Sequence, residues 1–270
     1  MQEDAPHTCA HVHATDDAPE TFSSRLELVM GQDAFARIQH ATIMVLGLGG
    51  VGSNATIALA RGGCGRLILI DRDIVSPSNI NRQAVAFVST IGQAKTDVMT
   101  KLIHDINPSC DVMCKQTFLK KESCASFLQS LPRPDYVIDA IDTISQKLAI
   151  AAWCQDQEIP LISSMGGANK LHPERFRIST IEKTKSCPMC KVMRKECRKR
   201  GIRKLTVLYS SEVPKPLEKN ASEGARTARP EKAQTLGTMS YIPPIMGYML
   251  AGHVIQAITK LENPYANYQR

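Results

Sequence analysis

Six residues, Gly47-Leu48-Gly49-Gly50-Val51-Gly52, constrain this chain more than any other stretch. An apolar run, Thr42–Leu46, enters them and a helix-forming run, Ser53–Arg61, leaves them. A strand, a glycine turn and a helix, with glycines spaced G-x-G-x-x-G, open a nucleotide-binding βαβ unit. Glycine serves there because the turn is tight and backbone N–H groups must come close to a phosphate. The helix start adds unpaired N–H groups and the positive end of its dipole, which favour an anion. Gly47, Gly49, Gly50 and Gly52 are therefore candidate phosphate-binding positions. The loop does not choose among nucleotides, and alone it would suit a dinucleotide-dependent oxidoreductase.

The residues that follow narrow the choice. A second strand, Leu67–Ile70, ends in Asp71, about twenty residues past the last glycine, where an acid accepts hydrogen bonds from ribose hydroxyls. The plain alternative is an acid that merely ends a strand. Asp73 to Gln83 is polar, turn-rich and contains Pro77, so it forms a loop at the C-terminal edge of the sheet. Gly92-Gln93-Ala94-Lys95 then opens a helix, Thr96–Ile106, stopped by Asn107-Pro108. Arg82 and Lys95 thus reach the side where open α/β sheets bind ligands. Two cations have little use in hydride transfer, but they offset charge developing on a triphosphate under cleavage.

Asp111–Phe118 reads as a third strand and Glu122–Gln129 as a helix. Asp135–Asp142 reads as a buried strand, Ser145–Gln157 as a helix and Pro160–Ser164 as a short strand. Alternating strands and helices predict an α/β fold, a Rossmann-like, doubly wound, mostly parallel sheet. Asp142, read at the end of its strand, is placed either to hold Mg²⁺ against phosphates or to cap the next helix. Ahead of the glycine loop, Phe22–His40 is a helical lead-in opened by Arg25.

Five motifs occur in order: the glycine loop, Asp71-Arg72-Asp73, Asn79-Ile80-Asn81-Arg82-Gln83, Gly92-Gln93-Ala94-Lys95, and Asp139-Ala140-Ile141-Asp142. In this the chain resembles the ubiquitin-activating-type adenylating enzymes, which include the bacterial thiamine and molybdopterin adenylyltransferases. The resemblance runs from Phe22 to the C-terminus. It implies that ATP and Mg²⁺ are the cofactors, that Asp71 binds ribose, and that Arg82 and Lys95 hold the phosphates. Asp73, Asn79 and Asn81 join them as nucleotide-binding positions, and Asp142 becomes the Mg²⁺ ligand. Arg25 resembles the arginine that reaches the neighbouring subunit's triphosphate, which implies a homodimer. The implied chemistry is attack of a carboxylate on the α-phosphate of ATP.

Which carboxylate is a question for the C-terminal half. Glu174–Ile181 alternates as a strand does, and Cys187-Pro188-Met189-Cys190 leads into a basic helix. The chain carries a net charge of +7, yet the segment Lys183–Lys204 alone holds ten Lys or Arg against Glu196. All the excess positive charge therefore sits there. Lys191 with Lys195, and Arg194 with Arg198, are four residues apart and share a helix side. With Lys199, Arg200, Arg203 and Lys204 they make a surface suited to a phosphate backbone, the bland alternative being a solvated helix face. Cys187-x-x-Cys190 has Cys197 as the one further cysteine downstream. A closed zinc site needs four ligands, and no base adjoins Cys187, so ordinary reduced thiols are expected. Leu205–Ser210 is a strand, Ser211–Ala233 a Pro-, Lys-, Glu- and Ser-rich mobile loop, and Met239–Lys260 a closing helix in which Gly247 and Gly252 allow close packing.

Cys187-Pro188-Met189, the run Lys191–Glu196, Arg198–Ile202, Val207–Ser210 and the opening Phe22–Leu28 together resemble one branch, the tRNA threonylcarbamoyladenosine dehydratases. Cys190 departs from that branch. The resemblance implies that ATP activates the threonine carboxylate of the modified nucleoside as an acyl-adenylate. The neighbouring carbamoyl group then closes the ring, so no enzyme thiol is needed. Implied partners are tRNA rather than DNA, a second copy of the chain, and a protein that supplies or removes sulfur. The runner-up is an adenylyltransferase that activates the C-terminal glycine of a small sulfur-carrier protein. A nicotinamide-dependent dehydrogenase and a non-catalytic RNA-binding scaffold are the readings from other classes.

Residues 1–21 are polar and read as a loose tail ahead of a single domain, 22–270, made of a nucleotide core, 22–165, and a C-terminal part, 166–270. No apolar run approaches the ~20 residues that span a bilayer. Without an export signal, the nine cysteines read as reduced cytoplasmic thiols.

Overall fold

The computed structural model describes residues 20–215 and 236–261. Most of the expected tail, 1–21, and most of the expected loop at Ser211–Ala233 lie outside the described residues. Seven strands form one sheet: β1 (Thr42–Leu46), β2 (Arg66–Ile70), β3 (Asp111–Lys115), β4 (Tyr136–Asp139), β5 (Leu161–Ser164), β6 (Phe176–Thr180) and β7 (Thr206–Ser210). Their order is β3-β2-β1-β4-β5-β7-β6. Every pairing is parallel except β6 with β7.

Eight α-helices accompany the strands among the described residues: α1 (Ser24–Met30), α2 (Gln32–His40), α3 (Gly50–Arg61), α4 (Lys95–Ile106), α5 (Cys124–Gln129), α6 (Ile144–Asp156), α7 (Pro188–Lys199) and α8 (Ile242–Thr259). The inner strands β1, β2, β4 and β5 are buried at every position but Arg66, and mostly apolar, because both sheet faces are covered. Ile43, Val45, Leu67 and Leu69 pack with residues of α2, α3, α4 and α8. Their neighbours Met44, Leu46, Ile68 and Ile70 pack with α5, α6 and α7. This is the doubly wound α/β architecture that the alternating pattern predicts.

From β1 the chain winds outward through β2 and β3, then returns to lay β4 on the other side of β1. The winding direction reverses between β1 and β4. At such a switch point the loops leaving adjacent strands part in opposite directions and open a crevice.

Several boundaries differ from the expected ones. The Phe22–His40 lead-in is two helices, broken at Gly31. The Asp135–Asp142 strand stops at Asp139, so Asp142 lies three residues beyond the sheet rather than at a strand end. Nor does Asp142 cap the next helix, whose N-cap is Thr143. β3 stops at Lys115, which frees residues 116–119 to turn across the strand ends.

Candidate active site

The crevice at the switch point is a cleft of about 690 Å³, within the range of about 300–1,000 Å³ typical of small-molecule sites. Gly47, Gly49 and Gly50 line it, together with Asp71, Asp73, Asn79, Arg82, Lys95 and Asp142. The glycine turn is held by close approaches that a side chain would break. A Cβ at Gly52 would lie 1.7 Å from the Gly47 carbonyl oxygen, and one at Gly50 would meet the Arg82 Cγ at 3.1 Å. Gly52 therefore lets α3 start close under the turn, and Gly50 lets the Arg82 stem lie across the helix start.

Asp71 fixes the turn from the next strand. One carboxylate oxygen accepts the Leu48 N–H and the other accepts the Asp73 N–H, at 2.7 Å. A carboxylate has further lone pairs, so this strand-end role leaves room for a sugar hydroxyl. Asn54 ties the helix start to the following loop, donating to the Gly50 carbonyl at 2.7 Å and the Arg82 carbonyl at 3.1 Å. The loop is built from its own side chains. Asn79 Oδ1 accepts the Ser76 N–H, Asn81 Nδ2 donates to the Thr238 carbonyl, and Arg82 donates to Ser78 O and Asn81 Oδ1. Asn79 and Asn81 thus shape the Arg82 loop. Lys95 opens α4 almost wholly buried, its Nζ 3.0 Å from Asp73 Oδ2.

Asp142 is exposed on the cleft wall, and its Oδ1 accepts the Thr143 hydroxyl at 3.2 Å. Among the described residues no group of three or more His, Cys, Asp or Glu is arranged to hold a metal. An exposed carboxylate on the wall of this cleft fits Mg²⁺, which takes one or two protein carboxylates and completes its shell with phosphates and water.

The remaining candidates lie elsewhere. Arg25 is not on the cleft; its side chain is 84% exposed on α1 and reaches Glu20. On α7 the cationic side is smaller than its spacing predicts. Arg194 turns inward and donates to the Thr184 carbonyl at 2.8 Å, while Lys199 and Arg200 pair with Glu196. Lys191, Lys195 and Arg198 stay exposed and in no ion pair among the described residues. Nor are the thiols uniform. Cys187 is drawn below the usual thiol range, chiefly by the hydrogen bond it accepts from Cys190, with buried Lys170 nearby. Cys110, Cys124 and Cys197 are pushed up to about 11 by burial.

The cleft also uses residues that the sequence pattern does not single out. Thr117, Phe118 and Leu119 form one wall, with the Arg72 guanidinium 4.5 Å over the Phe118 ring. Ser164–Ala168, leaving β5, forms the floor. By pattern Phe118 is the end of a strand, and no single-sequence signal marks the β5 exit as a floor. Behind the wall, Asp139 meets Lys147 in a fully buried ion pair; a lysine inside the apolar run of α6 is its one trace in the sequence.

The ThiF family model matches residues 23–270. The chain belongs to the ThiF family. Among its ThiF-family relatives, the tRNA threonylcarbamoyladenosine dehydratase of Bacillus subtilis is 42% identical over 241 residues, covering 88% of this chain and 94% of that one. The Haemophilus influenzae protein of the same name is 34% identical over 235 residues, covering 84% and 89%. The crystal structure of E. coli tRNA N6-threonylcarbamoyladenosine dehydratase in complex with ATP superposes with a TM-score of 0.75 at 28% identity, covering 90% of this chain and 94% of that one.

Proposed function

We propose that this chain is an ATP-dependent tRNA threonylcarbamoyladenosine dehydratase. It carries the nucleoside's threonine carboxylate through an acyl-adenylate to a cyclic product. The observation that carries the reading is the meeting of the glycine turn, Arg82, Lys95 and Asp142 on one cleft at the β1/β4 switch, in a chain whose extended relatives bear that name. Those relatives favour it over activation of a sulfur-carrier protein.

In this reading the triphosphate lies along the turn from Gly47 to Gly52, against the start of α3, where N–H groups and the helix dipole favour an anion. Arg82 and Lys95 offset the charge that grows as the bond from the α-phosphorus to pyrophosphate breaks. Asp71 and Asp73 orient the ribose side. The residue that would hold Mg²⁺ is Asp142, and the ion would neutralise phosphate charge there. A threonine carboxylate oxygen attacks the α-phosphorus, forming the acyl-adenylate and releasing pyrophosphate. The carbamoyl group of the same nucleoside then closes on the activated carbonyl and expels AMP, which carries away the carboxylate oxygen. The net change in the nucleoside is loss of water. Because the second nucleophile is already tethered, positioning supplies most of what this step needs.

Three further assignments belong to the same proposal. The chain acts as a homodimer in which Arg25 enters the neighbouring cleft. Exposed Leu28 and Val29 beside it on α1 are apolar surface of the kind a second copy covers. The exposed cations of α7 receive the tRNA backbone. The enzyme works in the cytoplasm, where a sulfur-transfer protein is a further partner.

The test is direct. Protein, ATP, Mg²⁺ and tRNA carrying the modified nucleoside are incubated, and the nucleoside is then weighed by mass spectrometry. Loss of one water mass together with AMP release is expected. An unchanged nucleoside with a folded protein sinks the proposal, and pyrophosphate exchange driven by a small carrier protein instead would favour the runner-up.

A further inference from the structure

The cleft wall that carries Asp142 rests on a group for which the proposed chemistry has no direct use. Asp139 ends β4, and Lys147 lies on the first turns of α6, with side-chain exposures of 0% and 1%. Lys147 Nζ donates to Asp139 Oδ2 at 2.9 Å and to Ser163 Oγ, on β5, at 3.1 Å. Ser163 Oγ in turn donates to the same Oδ2 at 2.6 Å. The other oxygen of Asp139, Oδ1, accepts the N–H of Ile141 at 3.1 Å. One carboxylate thus joins β4, β5, α6 and the backbone that runs on to Asp142.

Such a pair is a poor device for stability alone. Two charges removed from water are costly, and well-packed apolar side chains of similar volume often replace a buried pair without loss. The surroundings are apolar enough for that, with Val137, Leu148 and Ile150 in the same core. What an apolar side chain cannot do is accept the Ile141 N–H while bonded to two neighbouring elements. The segment held in this way also walls the glycine turn, since the Ala140 carbonyl group lies 3.1 Å from where a Gly47 Cβ would be.

We propose that Asp139, Lys147 and Ser163 are positioning residues that hold the Ala140–Asp142 segment, and so fix the Asp142 carboxylate against the metal and phosphates. This deepens the proposed function and rests on the reading of Asp142 as the metal-holding residue. Asp139 and Lys147 touch neither ATP nor tRNA in it; their effect passes through the Ile141 N–H and the start of α6.

The test uses the full-length enzyme with ATP, Mg²⁺ and modified tRNA. Asp139→Leu combined with Lys147→Met removes both charges and, with them, the acceptor of the Ile141 N–H. The expected result is a cooperatively melting protein whose kcat falls, and whose Mg²⁺ half-saturation rises, by about tenfold, as for other residues that support a metal ligand. Its affinity for ATP without Mg²⁺ should stay near wild type, a split that general loosening of the fold would not give. Wild-type kcat and Mg²⁺ half-saturation in this double variant overturn the proposal. If the double variant fails to melt cooperatively, Ser163→Ala decides: a raised Mg²⁺ half-saturation supports the positioning role and an unchanged one overturns it. Asp142→Ala runs alongside. Wild-type Mg²⁺ dependence in Asp142→Ala overturns the reading of Asp142 and this proposal with it; loss there, with the Asp139/Lys147 variant unaffected, overturns the positioning unit alone.

Discussion

Lys95 is held by Asp73: Nζ lies 3.0 Å from Oδ2, with the lysine side chain 5% exposed and the aspartate 52% exposed. The ammonium is buried, and its partner stands in solvent at the cleft edge. A triphosphate entering the cleft offers Lys95 a stronger partner than the screened carboxylate does. Asp73→Asn should therefore destabilise the nucleotide-free enzyme by about 1–2 kcal/mol, because the ammonium loses its charged partner. Saturating ATP should raise the melting temperature of this variant more than it raises that of wild type. Equal ATP-induced shifts in the two proteins would show that Asp73 does not compete with the phosphates for Lys95.

Arg25 and Asp142 belong to different sites if the dimer is built as proposed. Arg25 is 84% exposed on α1, away from its own cleft. Arg25→Ala and Asp142→Ala should each be inactive as homodimers and still bind ATP. Mixed by denaturation and refolding, they form heterodimers in which one cleft keeps Asp142 and receives an intact arginine from the other subunit. Turnover should return in the mixture. Two inactive variants that stay inactive when mixed would remove Arg25 from the neighbouring site.

Two glycines of α8 that look alike in sequence should behave in opposite ways. A Cβ on Gly247 would meet the Val51 carbonyl oxygen at 2.5 Å and the Ala55 nitrogen at 2.8 Å, both on α3. Backbone cannot step aside, so Gly247→Ala should cost about 1–3 kcal/mol. Gly252 has nothing within 4 Å, and Gly252→Ala should gain up to about 1 kcal/mol from helix propensity alone. Urea unfolding of the two variants checks both signs. The sequence expectation that both glycines serve close packing holds for Gly247 only.

The same contrast shows how far the sequence is legible. The doubly wound class follows from the alternation of strands and helices, with the glycine turn marking the first βα junction; the order of the seven strands does not. Arg82 and Lys95 are readable because cations at two successive loop ends converge on one side of a parallel sheet. Side-chain direction is not readable. Arg194 and Arg198 share a spacing, yet Arg194 spends its charge on the Thr184 carbonyl, ten positions away and outside the helix. Nothing in the pattern gives Lys147 a partner until β4 and β5 are laid beside α6. Asp142 is found by its motif and misplaced by its pattern, because a strand's apolar run does not say at which residue the chain leaves the sheet.

His253 makes a pH-dependent contribution whose sign follows from its burial. Its ring stands edge-on to Tyr136, with centroids 6.3 Å apart at 85°, and burial lowers its pKa below the ordinary imidazole value. The unfolded chain therefore takes up the proton first as pH falls. The stabilising contribution is complete above the ordinary value of about 6.5 and is lost as pH falls through the lower folded-state value. Urea midpoints should decline on acidification through this window, and His253→Gln should flatten the decline. An identical decline in the variant would assign it to other groups.

The exposed cations of α7 set the final prediction. Lys191, Lys195 and Arg198 are exposed, whereas Arg194 is tied to Thr184 and Lys199 and Arg200 share Glu196. A phosphate backbone gains most from cations that need not give up another partner. Replacing Lys191, Lys195 and Arg198 together by Gln should weaken tRNA binding and reduce the slope of log affinity against log salt by about one for each phosphate no longer neutralised. Melting temperature and ATP affinity should hold, since none of the three side chains is buried. Arg194→Gln should do the reverse, lowering the melting temperature because its bonds to Thr184 are gone and leaving the salt slope unchanged. If the triple variant binds tRNA with the wild-type salt slope, α7 is a solvated face and the tRNA lies elsewhere.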